Sequence, residues 1–130
     1  MSAADEFAWS SASAIAAANR TRRVSPVEVM DATIARIEAR NPSLNAFVFT
    51  DFDGARAAAR KAEQAIMSGD AIGPLHGVPT AIKDLFDFKP GWPATLGGVR
   101  AMKDWRPDLK CPFTERMEAA AASERTLTTA

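Results

Sequence analysis

The sequence predicts an α/β chain in which helices dominate and short strands lie between them. Three observations carry that reading. Four stretches combine helical apolar periodicity with capping signals, two short runs (residues 44–49 and 78–82) are rich in Val, Ile and Phe, and turn-forming segments separate them. Helices alternating with strands suggest a mixed sheet covered by helices.

Ser11 is placed to cap a short helix ending near Arg20, with Ile15 and Ala18 on its apolar side. The second helix has the best start signal in the chain. Ser25 at the cap, Pro26 at the first helical position and Glu28 at the third make a capping box, and Val24 and Val29 flank it as a hydrophobic staple. Val27, Met30, Ile34 and Ile37 then give one buried face, and Asn41-Pro42 is expected to stop the helix. Residues 44–49 read as a strand. Asp51 or Asp53 can cap a third helix whose inner face is Ala55, Ala58, Ala59, Ala62, Ala65 and Ile66, ended by Gly69. Residues 73–79 form a turn, residues 78–82 a strand delivering Lys83 and Asp84, and residues 89–98 a Gly/Pro loop. Pro112 opens a fourth helix with Phe113, Met117, Ala120 and Ala121 on one face. Two strands alone do not make a stable sheet.

Composition narrows the function classes. Among 130 residues, 16 basic and 16 acidic side chains balance, and no basic stripe argues for nucleic acid. A lone cysteine, Cys111, excludes an internal disulfide and a Cys-rich zinc site. A lone histidine, His76, leaves little for a His-based metal centre or a Ser-His-Asp triad. Asp5, Glu6 and interspersed serines argue against a signal peptide, and no run reaches the ~20 apolar residues of a membrane span. A cytoplasmic location is the expectation, with no membrane partner.

The segment Gly73-Pro74-Leu75-His76-Gly77-Val78-Pro79-Thr80-Ala81-Ile82-Lys83-Asp84 resembles the lysine motif of the amidase signature family. The similarity extends upstream to Ser25-Pro26-Val27-Glu28 and to Asn41-Pro42-Ser43-Leu44-Asn45-Ala46-Phe47. Downstream it covers Gly91-Trp92-Pro93-Ala94-Thr95-Leu96-Gly97-Gly98 and the segment from Cys111 to Ala120. The resemblance implies the N-terminal part of that family's mixed-sheet fold over residues 1–122, with 123–130 an unmatched tail. It also implies hydrolysis of a small-molecule carboxylic amide by a lysine, a serine on a cis peptide and a nucleophilic serine, without metal or cofactor.

Only the lysine of that set maps here, onto Lys83. A lysine in this role must be neutral to accept a proton, which burial away from water favours. It then takes the nucleophile's proton through the bridging serine. The family's serines lie in a Gly/Ser-rich stretch that has no counterpart here. The only serine after Lys83 is Ser123, flanked by Ala122 and Glu124 and not expected to be catalytic. The chain is therefore expected to be a truncated fragment that is inactive alone. The alternatives are a non-catalytic interaction module and a piece of a tRNA-dependent amidotransferase subunit. Unpaired strand edges suggest self-association.

Other residues take supporting roles. His76 is expected to hold its loop, Asp84 to bond nearby backbone or a basic group, and Asp87 to be solvated. Thr95 matches a family threonine in a loop near the active site. Where many relatives place a serine after that loop's glycine, this chain has Gly98. Trp92 and Trp105 are expected to cover the core, and Cys111 to be an inert thiol.

Overall fold

The computed structural model describes residues 3–121 and 127–129. It begins with a short helix, α1 (Ala3–Ala8), for which the sequence carries no clear signal. Ser11 then caps α2 (Ala12–Arg20), its Oγ accepting the Ala14 N–H at 3.1 Å. The buried side of α2 is Ile15, Ala16 and Asn19.

The capping box forms as expected at the start of α3 (Pro26–Leu44). Ser25 Oγ accepts the N–H groups of Val27 and Glu28, both at 3.1 Å, and Glu28 Oε2 accepts the Ser25 N–H at 2.8 Å. Val24 packs with Val29 in a cluster that includes Ile15, Ala16 and Val78, so the staple ties α3 to α2. Pro42 does not stop the helix, contrary to expectation. α3 continues through it to Leu44, giving up the one i→i−4 bond that an N–H at position 42 would have donated to the Glu38 carbonyl. It ends at Asn45, whose left-handed φ of 49° lets its N–H return to the Asn41 carbonyl.

The strand expected over residues 44–49 does not form. Leu44 is still helical, and the Asn41 amide satisfies the Phe47 backbone that a neighbouring strand would have paired. Asn41 Nδ2 donates to the Phe47 carbonyl at 2.9 Å, and its Oδ1 accepts the Phe47 N–H at 2.8 Å. Leu44 and Val48 are exposed, while Phe47 and Phe49 are half-buried.

Asp51 caps α4 (Phe52–Ser68) by accepting the Gly54 N–H at 2.9 Å, and Gly69 ends the helix at φ 77°. The alanine face is buried at Ala55, Ala58, Ala59 and Ala62, with Ile66 beside it; Ala65 is half-buried. Ala55 and Ala59 lie against Met30 and Ile34 of α3, the second core cluster. Each of the two large side chains is almost fully buried, which contributes about 2 kcal/mol.

Strand β1 (Thr80–Ile82) follows and pairs in parallel with β2 (Leu127–Thr129), placing Thr80 opposite Leu127 and Ile82 opposite Thr129. The architecture is thus helix-rich, as expected; of the two strands expected at residues 44–49 and 78–82 only the second forms, and its partner lies at Leu127–Thr129. A single 3₁₀ turn (Arg100–Met102) precedes α5 (Pro112–Ala121). The inner face of α5 differs from the expected one. Thr114 and Ala121 are buried, whereas Phe113 is exposed.

Candidate active site

The segment before β1 is fastened from two sides. Asn19 of α2 is buried and donates through Nδ2 to the Gly77 carbonyl at 3.1 Å and the His76 carbonyl at 3.4 Å. Gly77 itself has φ 75°, and a Cβ there would lie 2.7 Å from Asn19 Nδ2 and 2.9 Å from Pro26 Cγ. Only glycine fits both the conformation and the space.

His76 is 1% exposed and spans the gap between α4 and α5. Its Nε2 is 2.9 Å from the Ala62 carbonyl oxygen and its Nδ1 is 2.6 Å from that of Ala121. A neutral imidazole has one N–H and donates to one of these carbonyls; an imidazolium donates to both. The ring thus holds the turn to two helices.

This anchoring sets the direction in which β1 leaves. Val78 and Ile82 are buried while Ala81 and Lys83 are exposed, the alternation of a strand with one covered face. Lys83 follows the last strand residue and borders a hollow of about 10 Å³, room for roughly one water. Asp87, Phe88, Trp92, Pro93 and Ala94 also line it, so Lys83 lies beside the loop that begins at Gly91.

Asp84 fixes that loop. Its Oδ1 accepts the Thr95 N–H at 2.6 Å and its Oδ2 accepts the Thr95 hydroxyl in a short bond. The Asp84 carbonyl takes the Gly97 N–H at 2.7 Å, and Thr95 Oγ1 takes the Gly98 N–H at 2.9 Å. Leu96, Gly97 and Gly98 all have positive φ, so the loop turns sharply where it meets Asp84. The peptide N–H groups of Gly97 and Gly98 are both taken up in this bracket.

The remaining candidates fall in different places. Trp92 lines the hollow beside Lys83, with Phe49 edge-on at 5.5 Å and Lys89 4.2 Å from its ring centre, so it is a wall residue and not core cover. Trp105 packs edge-on against Phe88 at 5.3 Å. Asp87 is partly buried, 3.8 Å from the Cys111 sulfur. Cys111 caps α5, its Sγ accepting the Thr114 N–H at 3.4 Å. Ser123 lies outside the described residues. Among the described residues, no group of three His, Cys, Asp or Glu side chains could hold a metal ion. No helix among them is long and apolar enough to cross a membrane.

A model of the amidase family matches residues 28–124, three-quarters of the chain. The chain belongs to the amidase signature family. It is 38% identical over 109 residues to the A subunit of glutamyl-tRNA(Gln) amidotransferase from Streptomyces coelicolor, covering 84% of this chain and 22% of that one. It is 40% identical over 101 residues to the protein of the same name from an Anaeromyxobacter species, covering 78% and 20%. A solved bacterial aryl acylamidase of the amidase signature family superposes at TM-score 0.83 with 43% identity, over 92% of this chain and 25% of that one. Fatty acid amide hydrolase superposes at TM-score 0.84 over 99% and 22%, but at 19% identity that likeness shows the fold alone. The chain spans about a fifth of the length of the curated relatives it matches.

Within this amidase-family chain, Asn19 is a structural support that composition and motif do not single out. Its signal in the sequence is a polar residue four positions after Ile15, on the apolar side of a helix.

Proposed function

We propose that Lys83 is the proton-accepting lysine of an amide-hydrolysing site, and that the two serines of that site come from outside these 130 residues. One observation supports this reading above the others. Lys83 emerges from an anchored strand end, beside a loop that Asp84 holds through Thr95 and Gly97. Such support restrains the lysine's backbone, which a proton relay needs. Lys83 is exposed in this chain. A solvated ammonium cannot accept a proton, so the complete site has to cover it with further chain. The reaction is then acyl transfer from a carboxylic amide to serine, followed by hydrolysis of the acyl-serine.

The test is a graft. This chain replaces the matching segment of the bacterial aryl acylamidase, and the fused protein is assayed on an aryl acylamide. Activity is expected, and Lys83→Ala should lower kcat/KM by about 10³-fold or more. A fused protein whose activity does not respond to Lys83→Ala overturns the assignment. The chain alone is expected to give no turnover, and Lys83-dependent hydrolysis by it would show that no outside serines are needed.

The names of the curated relatives favour a second reading, in which the chain is part of the A subunit of a glutamyl-tRNA(Gln) amidotransferase. Binding of this chain to the other subunits of such an enzyme supports that reading, and its absence favours a free-standing amidase.

A further inference from the structure

Helix α2 and the residues just past it reach the connection between α4 and β1 with three side chains. Asn19 Nδ2 donates to the His76 and Gly77 carbonyls, Arg20 donates to the Gly73 carbonyl at 3.4 Å, and Arg22 donates to the Ile66 carbonyl at 3.0 Å. Ile66 lies in the last turn of α4, where a cation also meets the negative end of the helix dipole. The end of one helix thus holds both ends of the connection, from α4 to the start of the strand that leads to Lys83.

Two of these residues are unfavourable on local grounds. Arg22 has φ 57°, in the left-handed region that glycine suits, just past the end of α2. Asn19 is buried, and its Oδ1 has no hydrogen-bond partner among the described residues. In each case a bond to the connection offsets the cost, so neither residue is explained by the ending of α2 itself. The contact continues into the strand, because Val78 shares a core cluster with Ile15 and Ala16 of α2. Geometry makes this base matter at the far end. An extended chain from Val78 to Lys83 spans about 17 Å, so a tilt of roughly 5° at Val78 moves Lys83 by about 1.5 Å. A displacement of about 1 Å is enough to lower a rate by about 10².

We infer that Asn19 and Arg22 are positioning residues for Lys83, acting through the carbonyls of Gly77 and Ile66. The inference rests on the proton-accepting role proposed for Lys83. The main variant is Arg22→Gly, because glycine suits the φ of 57° and the bond is removed without straining the backbone. In the grafted aryl acylamidase, Arg22→Gly should lower kcat by about tenfold or more and leave KM within about twofold, and Arg22→Lys should restore part of kcat. In a Lys83→Ala background Arg22→Gly should have no further effect, since it acts through Lys83. In the chain itself, Arg22→Gly and Asn19→Ala should each speed amide hydrogen exchange over residues 73–83 by about tenfold, with residues 30–34 of α3 unchanged. Unchanged exchange over residues 73–83 overturns the inference whether or not the graft is active. An equal loss of kcat in the Lys83→Ala background also overturns it. A graft inactivated by Lys83→Ala but indifferent to Arg22→Gly overturns this inference alone, whereas indifference to Lys83→Ala overturns the reading of Lys83 and this inference together.

Discussion

Asp84 and Thr95 are joined twice, once through the Thr95 amide and once through its hydroxyl, although 11 residues separate them. Both bonds end on a carboxylate, the stronger kind of acceptor. Thr95→Val should therefore leave Asp84 short of one donor and the Gly98 N–H without its acceptor. The expected loss is about 1–3 kcal/mol in urea unfolding, with amide shifts at Gly97 and Gly98. Thr95→Ser should restore most of it. A Thr95→Val variant as stable as the parent would mean that the bracket contributes nothing.

Gly77→Ala should be among the more damaging single changes. The new methyl meets Asn19 Nδ2 and Pro26 Cγ inside contact distance, at a φ of 75° that alanine disfavours. Together these should cost about 2 kcal/mol or more. Since Asn19 is one of the two obstacles, Gly77→Ala combined with Asn19→Ala should cost less than the sum of the two changes. Strict additivity in a double-mutant cycle would argue against the clash.

His76→Phe should loosen α5. The ring shape is roughly kept, but the carbonyls of Ala62 and Ala121 lose their shared partner. Amide hydrogen exchange in α5 should accelerate by about tenfold, while the middle of α4 keeps its own ladder and changes less. Uniform acceleration across both helices would point to a global loss of stability instead.

The isolated chain should associate as its concentration rises. Leu44, Val48, Phe86, Val99, Leu109 and Phe113 are exposed, and β1 has no neighbour other than β2 among the described residues. Size-exclusion chromatography should show concentration-dependent broadening, and thermal melting a shallow transition. A monomer with one sharp transition would show that these residues form a complete domain. That result would move the interaction-module reading ahead of the enzyme-fragment one.

Features encoded within a few residues are legible in the sequence. The Ser25–Glu28 box, the Asp51 cap, the alanine face of α4 and the strand ending before Lys83 all depend on local spacing, and the structure has each of them. The departures have a common cause. Residues 44–49 have strand composition, but a strand needs a neighbour, and Asn41 supplies the hydrogen bonds instead. Phe113 has the chemistry of a core residue, yet the face of α5 that turns inward is set by what packs against it, and that selects Thr114. The environment of His76 is hidden for the same reason. Its two carbonyl partners belong to helices 14 and 45 residues away.

The pairing of β1 with β2 has a consequence for the order in which the molecule is made. In the described residues, the strand leading to Lys83 finds its parallel neighbour only at Leu127–Thr129. As the chain leaves the ribosome, α3 and α4 have both halves of their contact early, since they are consecutive helices. The β1 edge has to wait until Leu127–Thr129 has been synthesised, because a parallel ladder pays its loop-closure entropy before any pairing rewards it. Until then the strand that leads to Lys83 has an open edge, so a crosslinker at Ala81 should react readily in chains truncated before Leu127 and less readily once Leu127–Thr129 is present and free to pair.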